Sequence, residues 1–179
     1  VIGWGWFFLS TVLDDYSRKI IAWKLFKTMK AEDVKETLDL ARAATGVDTV
    51  HVKHRPRLLS DNGSCYISSE LREYLDDAKM THSRGKPYHP QTQGKIERYH
   101  QSMKNVIKLE HYFMVSDLER AIAKWVEYYN NQRLHESLGN ITPQEMYNGL
   151  QKQIHAERMA IKQKTLRDRK RLNLKKTAA

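Results

Sequence analysis

Residues 57–68 read RLLSDNGSCYIS. The apolar pair Leu58-Leu59 runs into Ser60-Asp61-Asn62-Gly63, and Asn-Gly is a strong turn signal. This spells a short buried strand that ends where the chain swings outward, with the Asp61 carboxylate at the exit. An acid at such a position is either a turn former or a ligand for a hard cation. If it is a ligand, other oxygen donors must share the ion.

The flanking sequence supplies an α/β layout. Upstream, WFFLSTVL (6–13) is rich in strand formers, DDYS (14–17) is a turn, and RKIIAWKLF (18–26) returns as a second strand. Gly3 and Gly5 predict an earlier turn, and with it a strand ahead of Val1. Val34, Leu38, Ala41 and Thr45 recur at helical spacing over 31–45, and Gly46 stops that helix. Downstream, Leu71, Tyr74, Leu75 and Ala78 share a face over 69–78, and MTHS (80–83) reads as a short parallel strand. RGKPYHPQTQGK (84–95) is a loop by composition, and a helix runs on from it to about residue 109. Ser116 with Glu119, and Thr142 with Glu145, predict capping boxes; Pro143 stands at the first helical position of the second. Trp4, Trp6, Trp23 and Trp125 read as core or strand residues. Elements in this order make a mixed sheet flanked by helices.

Among 179 residues, 40% are hydrophobic and 29% charged, with no apolar run near the roughly 18–20 residues of a membrane span. One cysteine, Cys65, rules out an internal disulfide framework or zinc ribbon and suits a reducing cytoplasm. Charge is unevenly placed. The formal net charge is +10; residues 151–179 hold ten Lys and Arg against Glu157 and Asp168, a balance of +8. A basic end on a near-neutral body points to a polyanion, most simply nucleic acid, or else to a solvated tail.

Glu97, in GKIERYHQSMK, is the partner proposed for Asp61. On its helix Ile96, Tyr99, Met103 and Val106 make the inward stripe, while Glu97, Gln101, Lys104 and Lys108 form a polar row. Glu97 is the one acid between Asp77 and Glu110, with Arg84, Lys86, Lys95, Arg98, Lys104 and Lys108 around it. A lone carboxylate in a basic surface suits a cation bound beside a phosphate backbone. A helix-start Glu favoured by the dipole is the alternative.

Asp61 in SDNG, Glu97 within YHPQTQGKIER with 35 residues between the two acids, and YYNNQRLHESLGNITPQEMY beyond them together resemble the integrase catalytic domain of bacterial insertion-sequence transposases. The likeness runs from the first residues to about Gly149. It implies a ribonuclease H-like fold over 1–149; residues 150–179, outside the likeness, read from their helix-forming composition and sparse apolar face as a basic tail, helical when bound. It also implies DNA transposition: binding of transposon-end DNA, and cutting and joining of strands by three carboxylates that hold two Mg²⁺ (or Mn²⁺) ions. Asp61 would take one ion and Glu97 the other, and Lys95, Lys104, Lys108, His89 and Gln91 would contact DNA. Arg133 and His135 match a motif of the group that ties the last helices to the core. Double-stranded DNA would be the partner, engaged by a homo-oligomer at the bacterial nucleoid in the cytoplasm, with no membrane.

The family's first Asp lies in the strand before the hairpin, and that strand is absent from this sequence. Asp14 and Asp15 do not replace it: they sit in a turn, about 15 Å from mid-strand at roughly 3.3 Å per residue. The resemblance therefore implies a fold lacking its first strand, two of three acids, and a chain that is poorly stable and inactive alone. An Asp is expected roughly 5–10 residues before Val1. The alternative reading is a non-catalytic DNA-binding or oligomerising remnant of a transposase.

Overall fold

A computed structural model describes residues 1, 3, 5–85 and 93–177, with side chains to residue 174. The hairpin forms as β1 (Phe8–Leu13) and β2 (Ile20–Phe26), antiparallel, in register from Phe8 opposite Phe26 to a shift at Val12/Leu13. Its turn is held by Asp14, whose Oδ2 accepts from the Ser17 amide (2.8 Å) and hydroxyl (2.6 Å). Gly3 and Gly5 both take positive φ (75° and 76°), the turn conformation glycine permits. Trp6 departs from the expectation: at 89% exposure it lies outside the core, whereas Trp23 is half-buried and Trp125 buried. Trp4 lies outside the described residues.

Helix α1 (Ala31–Thr45) buries Ala31, Val34, Leu38 and Ala41 and stops at Gly46 in the left-handed conformation. Strand β3 (Leu58–Ser60) follows, then a single turn α2 (Ser64–Ile67), helix α3 (Ser69–Asp77) and β4 (His82–Arg84), which pairs parallel to β3. Leu71 and Leu75 of α3 are completely or almost completely buried against α1 and Cys65. Burying each contributes about 1.5–3 kcal/mol.

The mixed sheet is present as two ladders, β1–β2 and β3–β4, with no strand joining them among the described residues. Val12 of β1 and Leu58 of β3 nonetheless pack on one cluster over α1, so both pairs lie on the same helical layer.

Helix α4 (Gly94–Ile107) and helix α5 (Val115–Asn131) cover the other core, where Tyr99 and Met103 meet Ile20, Ile122, Trp125 and Tyr129. Here the predicted stripe slips by one residue. Ile107 packs on the core and Val106 is 45% exposed, because the position four after Met103 stays on the same face. The start of α5 also differs. The helix begins at Val115, and Asp117, not Glu119, reaches back to accept from the Met114 amide (3.3 Å).

The last segment closes on itself. Short helix α6 (Pro143–Tyr147) starts with the predicted box: Thr142 Oγ1 accepts from the Glu145 amide, and Glu145 Oε2 accepts from the Thr142 amide. Leu138, Ile141 and Met146 form a small core on which Ile154 packs. Helix α7 (Gln151–Thr177) then runs unbroken for 27 residues.

Candidate active site

Asp61 follows the last residue of β3. The backbone around it is fixed from both sides. The Ser60 carbonyl accepts from the Gly85 amide at 2.9 Å, and the Ser60 hydroxyl lies 2.8 Å from His82 Nε2. Asn62 Nδ2 donates to the Gly85 carbonyl at 2.8 Å. Asn62 therefore does more than form a turn: it ties the strand exit to Gly85, the residue after β4. The Asp61 side chain is exposed, and Oδ1 accepts from the Gly63 amide at 2.8 Å. Its second oxygen has no hydrogen-bond partner among the described residues. Gly63 leaves room for this carboxylate, since a Cβ there would sit 3.0 Å from Asp61 Oδ1. Below the turn, burial pushes the Tyr66 phenol up to about 12, so it stays neutral beside the acid.

Glu97 sits in the first turn of α4, exposed, with no ion pair or hydrogen bond to its carboxylate from any described residue. The same helix also carries Lys95, Arg98 and Lys104, and Lys108 follows it. The Asp61 turn is bonded to Gly85, the residue after β4, and Glu97 lies in the first turn of α4; no contact joins the two carboxylates among the described residues. Helix α4 is held against the hairpin by His100 Nε2, 3.3 Å from Thr11 Oγ1, and by Lys95.

Of the proposed DNA contacts, Lys95 is engaged within the fold. Its ammonium donates to the Asp15 carbonyl (2.9 Å) and carboxylate (2.6 Å), which latches the helix start to the hairpin turn. Lys104 and Lys108 are exposed and edge a groove of about 370 Å³ with Trp6, Phe8, Met103 and Ile107. His89 and Gln91 lie outside the described residues.

The motif around residue 130 has a role the sequence reading reaches only in part. Asn130 is buried, its Oδ1 accepting from the Ile20 amide (2.9 Å) and its Nδ2 donating to the Ile20 carbonyl (3.0 Å). It pairs with the start of β2 as a strand would. Arg133 lies over the Trp125 and Tyr129 rings (5.8 and 5.9 Å), and His135 stands edge-on to Tyr129 at 4.9 Å. Burial, then the nearby Arg133 and Arg18 charges, push His135 down to about 4. These residues secure α5 to the hairpin and to the segment after it.

In kind, Asp61 and Glu97 suit a hard divalent cation, which prefers carboxylate oxygen. In number they fall short of a closed site. Among the described residues no three His, Cys, Asp or Glu side chains gather where an ion could bind.

The chain belongs to the integrase core domain family, whose models match residues 1–90 and 78–143. The transposase for insertion sequence element IS629 of Shigella sonnei is 29% identical over 147 residues, 79% of this chain and 46% of the relative. The chain spans about half the length of the insertion-sequence relatives it matches. The crystal structure of the catalytic core domain of BIV integrase superposes with a TM-score of 0.58 at 20% identity, covering 82% of this chain and 89% of that one. HTLV-2 integrase catalytic core domain, solved in complex with magnesium in a trimeric form, superposes with a TM-score of 0.59 at 19% identity, over 77% and 82% of the two chains. The fold is ribonuclease H-like.

Proposed function

We propose that this chain is the catalytic portion of an insertion-sequence transposase, acting on double-stranded DNA at transposon ends and target. One observation carries the reading: two exposed carboxylates, Asp61 at the β3 exit tied to Gly85 and Glu97 in the first turn of α4, have no cationic partner among the described residues. Asp61 and Glu97 would hold Mg²⁺ or Mn²⁺, with water, phosphate oxygens or a further carboxylate filling the remaining positions. Bound there, such ions would supply activation of the attacking hydroxyl and stabilisation of the departing oxygen in phosphodiester transfer. The chain's own part is positional. Ser60 and Asn62 fix where the Asp61 carboxylate points, and the Lys95–Asp15 latch fixes the start of the Glu97 helix. Lys104 and Lys108 would lie against backbone phosphates, and the active form would be a homo-oligomer on DNA at the bacterial nucleoid. Magnesium in the HTLV-2 relative supports the choice of cation.

Mn²⁺ titration followed by amide NMR tests the shared site. Signals of Gly63 and Arg98 should broaden together, and the Asp61→Asn chain should lose both effects. Broadening at one position without the other would end the reading of a common site. The second reading is a non-catalytic DNA-binding or oligomerising remnant of a transposase. That reading gains if the chain only blocks an intact transposase when the two are mixed.

A further inference from the structure

Helix α7 is about 40 Å long at 1.5 Å per residue, and the bonds that anchor it fall in its first two turns. Ile154 packs on the Leu138–Ile141–Met146 core. His155 Nε2 lies 3.1 Å from the Gly139 carbonyl, and Arg158 donates to that same oxygen at 3.3 Å. Gly139 is itself in the left-handed conformation (φ 76°), and a Cβ there would sit 2.6 Å from the His155 ring. The corner thus has no side chain because the helix occupies that space. This is a built joint, and it sets the direction in which the helix leaves the body.

Past the joint the helix changes character. From Met159 to Leu174 every side chain but Asp168 is exposed. Lys162, Lys164, Arg167, Arg169, Lys170 and Arg171 lie in this stretch against the single acid Asp168. Among the described residues, only Arg171 of these six has an ion pair, with Asp168 at 3.8 Å. Arg169, Lys170 and Arg171 alone spread over about 200° of the helix circumference at 3.6 residues per turn. The apolar residues Met159, Ile161, Leu166, Leu172 and Leu174 are all more than half exposed and form no continuous stripe.

That pattern discriminates between partners. A partner helix needs an apolar seam repeating every 3.5 residues, and a membrane surface needs one apolar face; α7 has neither. A duplex needs only cations spaced along a rod, because it carries a phosphate about every 1.7 Å of its axis. The free part of α7 spans about 24 Å, enough to run beside roughly a dozen phosphates. We infer that α7 is an arm, docked at Gly139, that binds duplex DNA along its phosphate backbone. The choice of DNA over RNA rests on the function proposed above; the choice of a duplex phosphate backbone rests on the helix itself.

The test is anisotropy of a short fluorescent DNA duplex, without divalent cations, across a salt series. The full chain is compared with one carrying Arg167→Gln, Arg169→Gln, Lys170→Gln and Arg171→Gln; glutamine keeps helix propensity close to that of arginine and lysine. Affinity should fall at least about tenfold, and the slope of log K against log salt should flatten by up to about 3.6, at about 0.9 for each of the four phosphates no longer neutralised. Unchanged affinity and slope would overturn the arm. Tighter binding to an RNA hairpin than to the DNA duplex would overturn the DNA assignment. The same fourfold variant should still show the Mn²⁺ broadening at Gly63 and Arg98, so the arm and the metal site fail separately.

Discussion

The turn after β3 and the corner around Gly139 both place polar side chains where the chain changes direction, and they are built in opposite ways. At 60–63 the backbone is clamped by Ser60 and Asn62, but the Asp61 carboxylate projects into solvent with one oxygen unpartnered among the described residues. Glu97 is left without any partner among them. At 130–158 the polar groups are turned inward. Asn130 completes β2, Thr142 and Glu145 cap one another, and His155 and Arg158 close on the Gly139 carbonyl. Polar groups whose bonding is met inside the fold contribute stability. Polar groups held in place yet left unsatisfied are available for chemistry. The distinction separates two halves of a family motif that look equally polar in sequence.

The sharpest test of the inward half is Asn130→Ala. It strips both partners from Ile20, leaving a buried amide and carbonyl unmet at the start of β2. Urea unfolding should show a loss of about 2–6 kcal/mol, since each of the two orphaned buried groups costs about 1–3 kcal/mol. A loss under about 1 kcal/mol would mean the asparagine is replaceable by water, and that the corner is less closed than its bonds imply.

Gly139→Ala comes next. The left-handed backbone costs a side chain about 1–2 kcal/mol, and the Cβ would displace the His155 ring. Faster amide exchange should appear in the first two turns of α7 while α4 is unaffected. Equal protection in the parent and the variant would show that the joint at His155 does not hold the helix.

Acidification should weaken the same region by less. His135 has an ordinary pKa of 6.5 and is pushed down to about 4 in the fold, first by burial and then by Arg133 and Arg18. The unfolded chain therefore binds more protons between those values. Stability is fully present above about pH 6.5 and is lost as pH falls toward 4. Burial holds His82 and His100 below their ordinary value as well, so they act in the same sense. The urea midpoint should drop between about pH 7 and pH 5, and His135→Gln should reduce that drop; an unchanged pH dependence would show that His135 takes no part in it.

Legibility in the sequence follows the range of the interaction. The hairpin, α1 with its Gly46 stop, the parallel β3–β4 pair and the Thr142 box all rest on signals within a few residues, and they are readable. The start of α5 is misread because Glu119 from Ser116 and Asp117 from Met114 are equally plausible back-reaching acids, and only packing chooses between them. Asn130 gives no local signal, as its partner Ile20 is 110 residues away. Turn α2 is hidden inside SDNGSCYIS, where Gly63 reads as a loop. The family likeness supplies Asp61 and Glu97 as a pair; composition and spacing alone allow each a purely structural role.

The smallest effect on stability should come from the outward half, and its smallness is the point. Asp61→Asn keeps an acceptor for the Gly63 amide, and Glu97→Gln removes a charge that no described residue pairs with. Surface changes of this kind usually fall within about 0.5 kcal/mol. If Glu97 were a helix-start residue valued for the dipole, its neutralisation would cost about 0.3–1 kcal/mol at low salt, and less as salt rises. If it is held for a cation, the free chain should lose almost nothing, and the difference should appear only when Mg²⁺ or Mn²⁺ is added. The parent chain would then gain unfolding free energy by mass action, and Glu97→Gln would not. Urea curves of both chains at low salt, with and without the cation, therefore divide the two roles: a salt-sensitive loss without metal assigns Glu97 to the helix, and a metal-dependent gap assigns it to the ion.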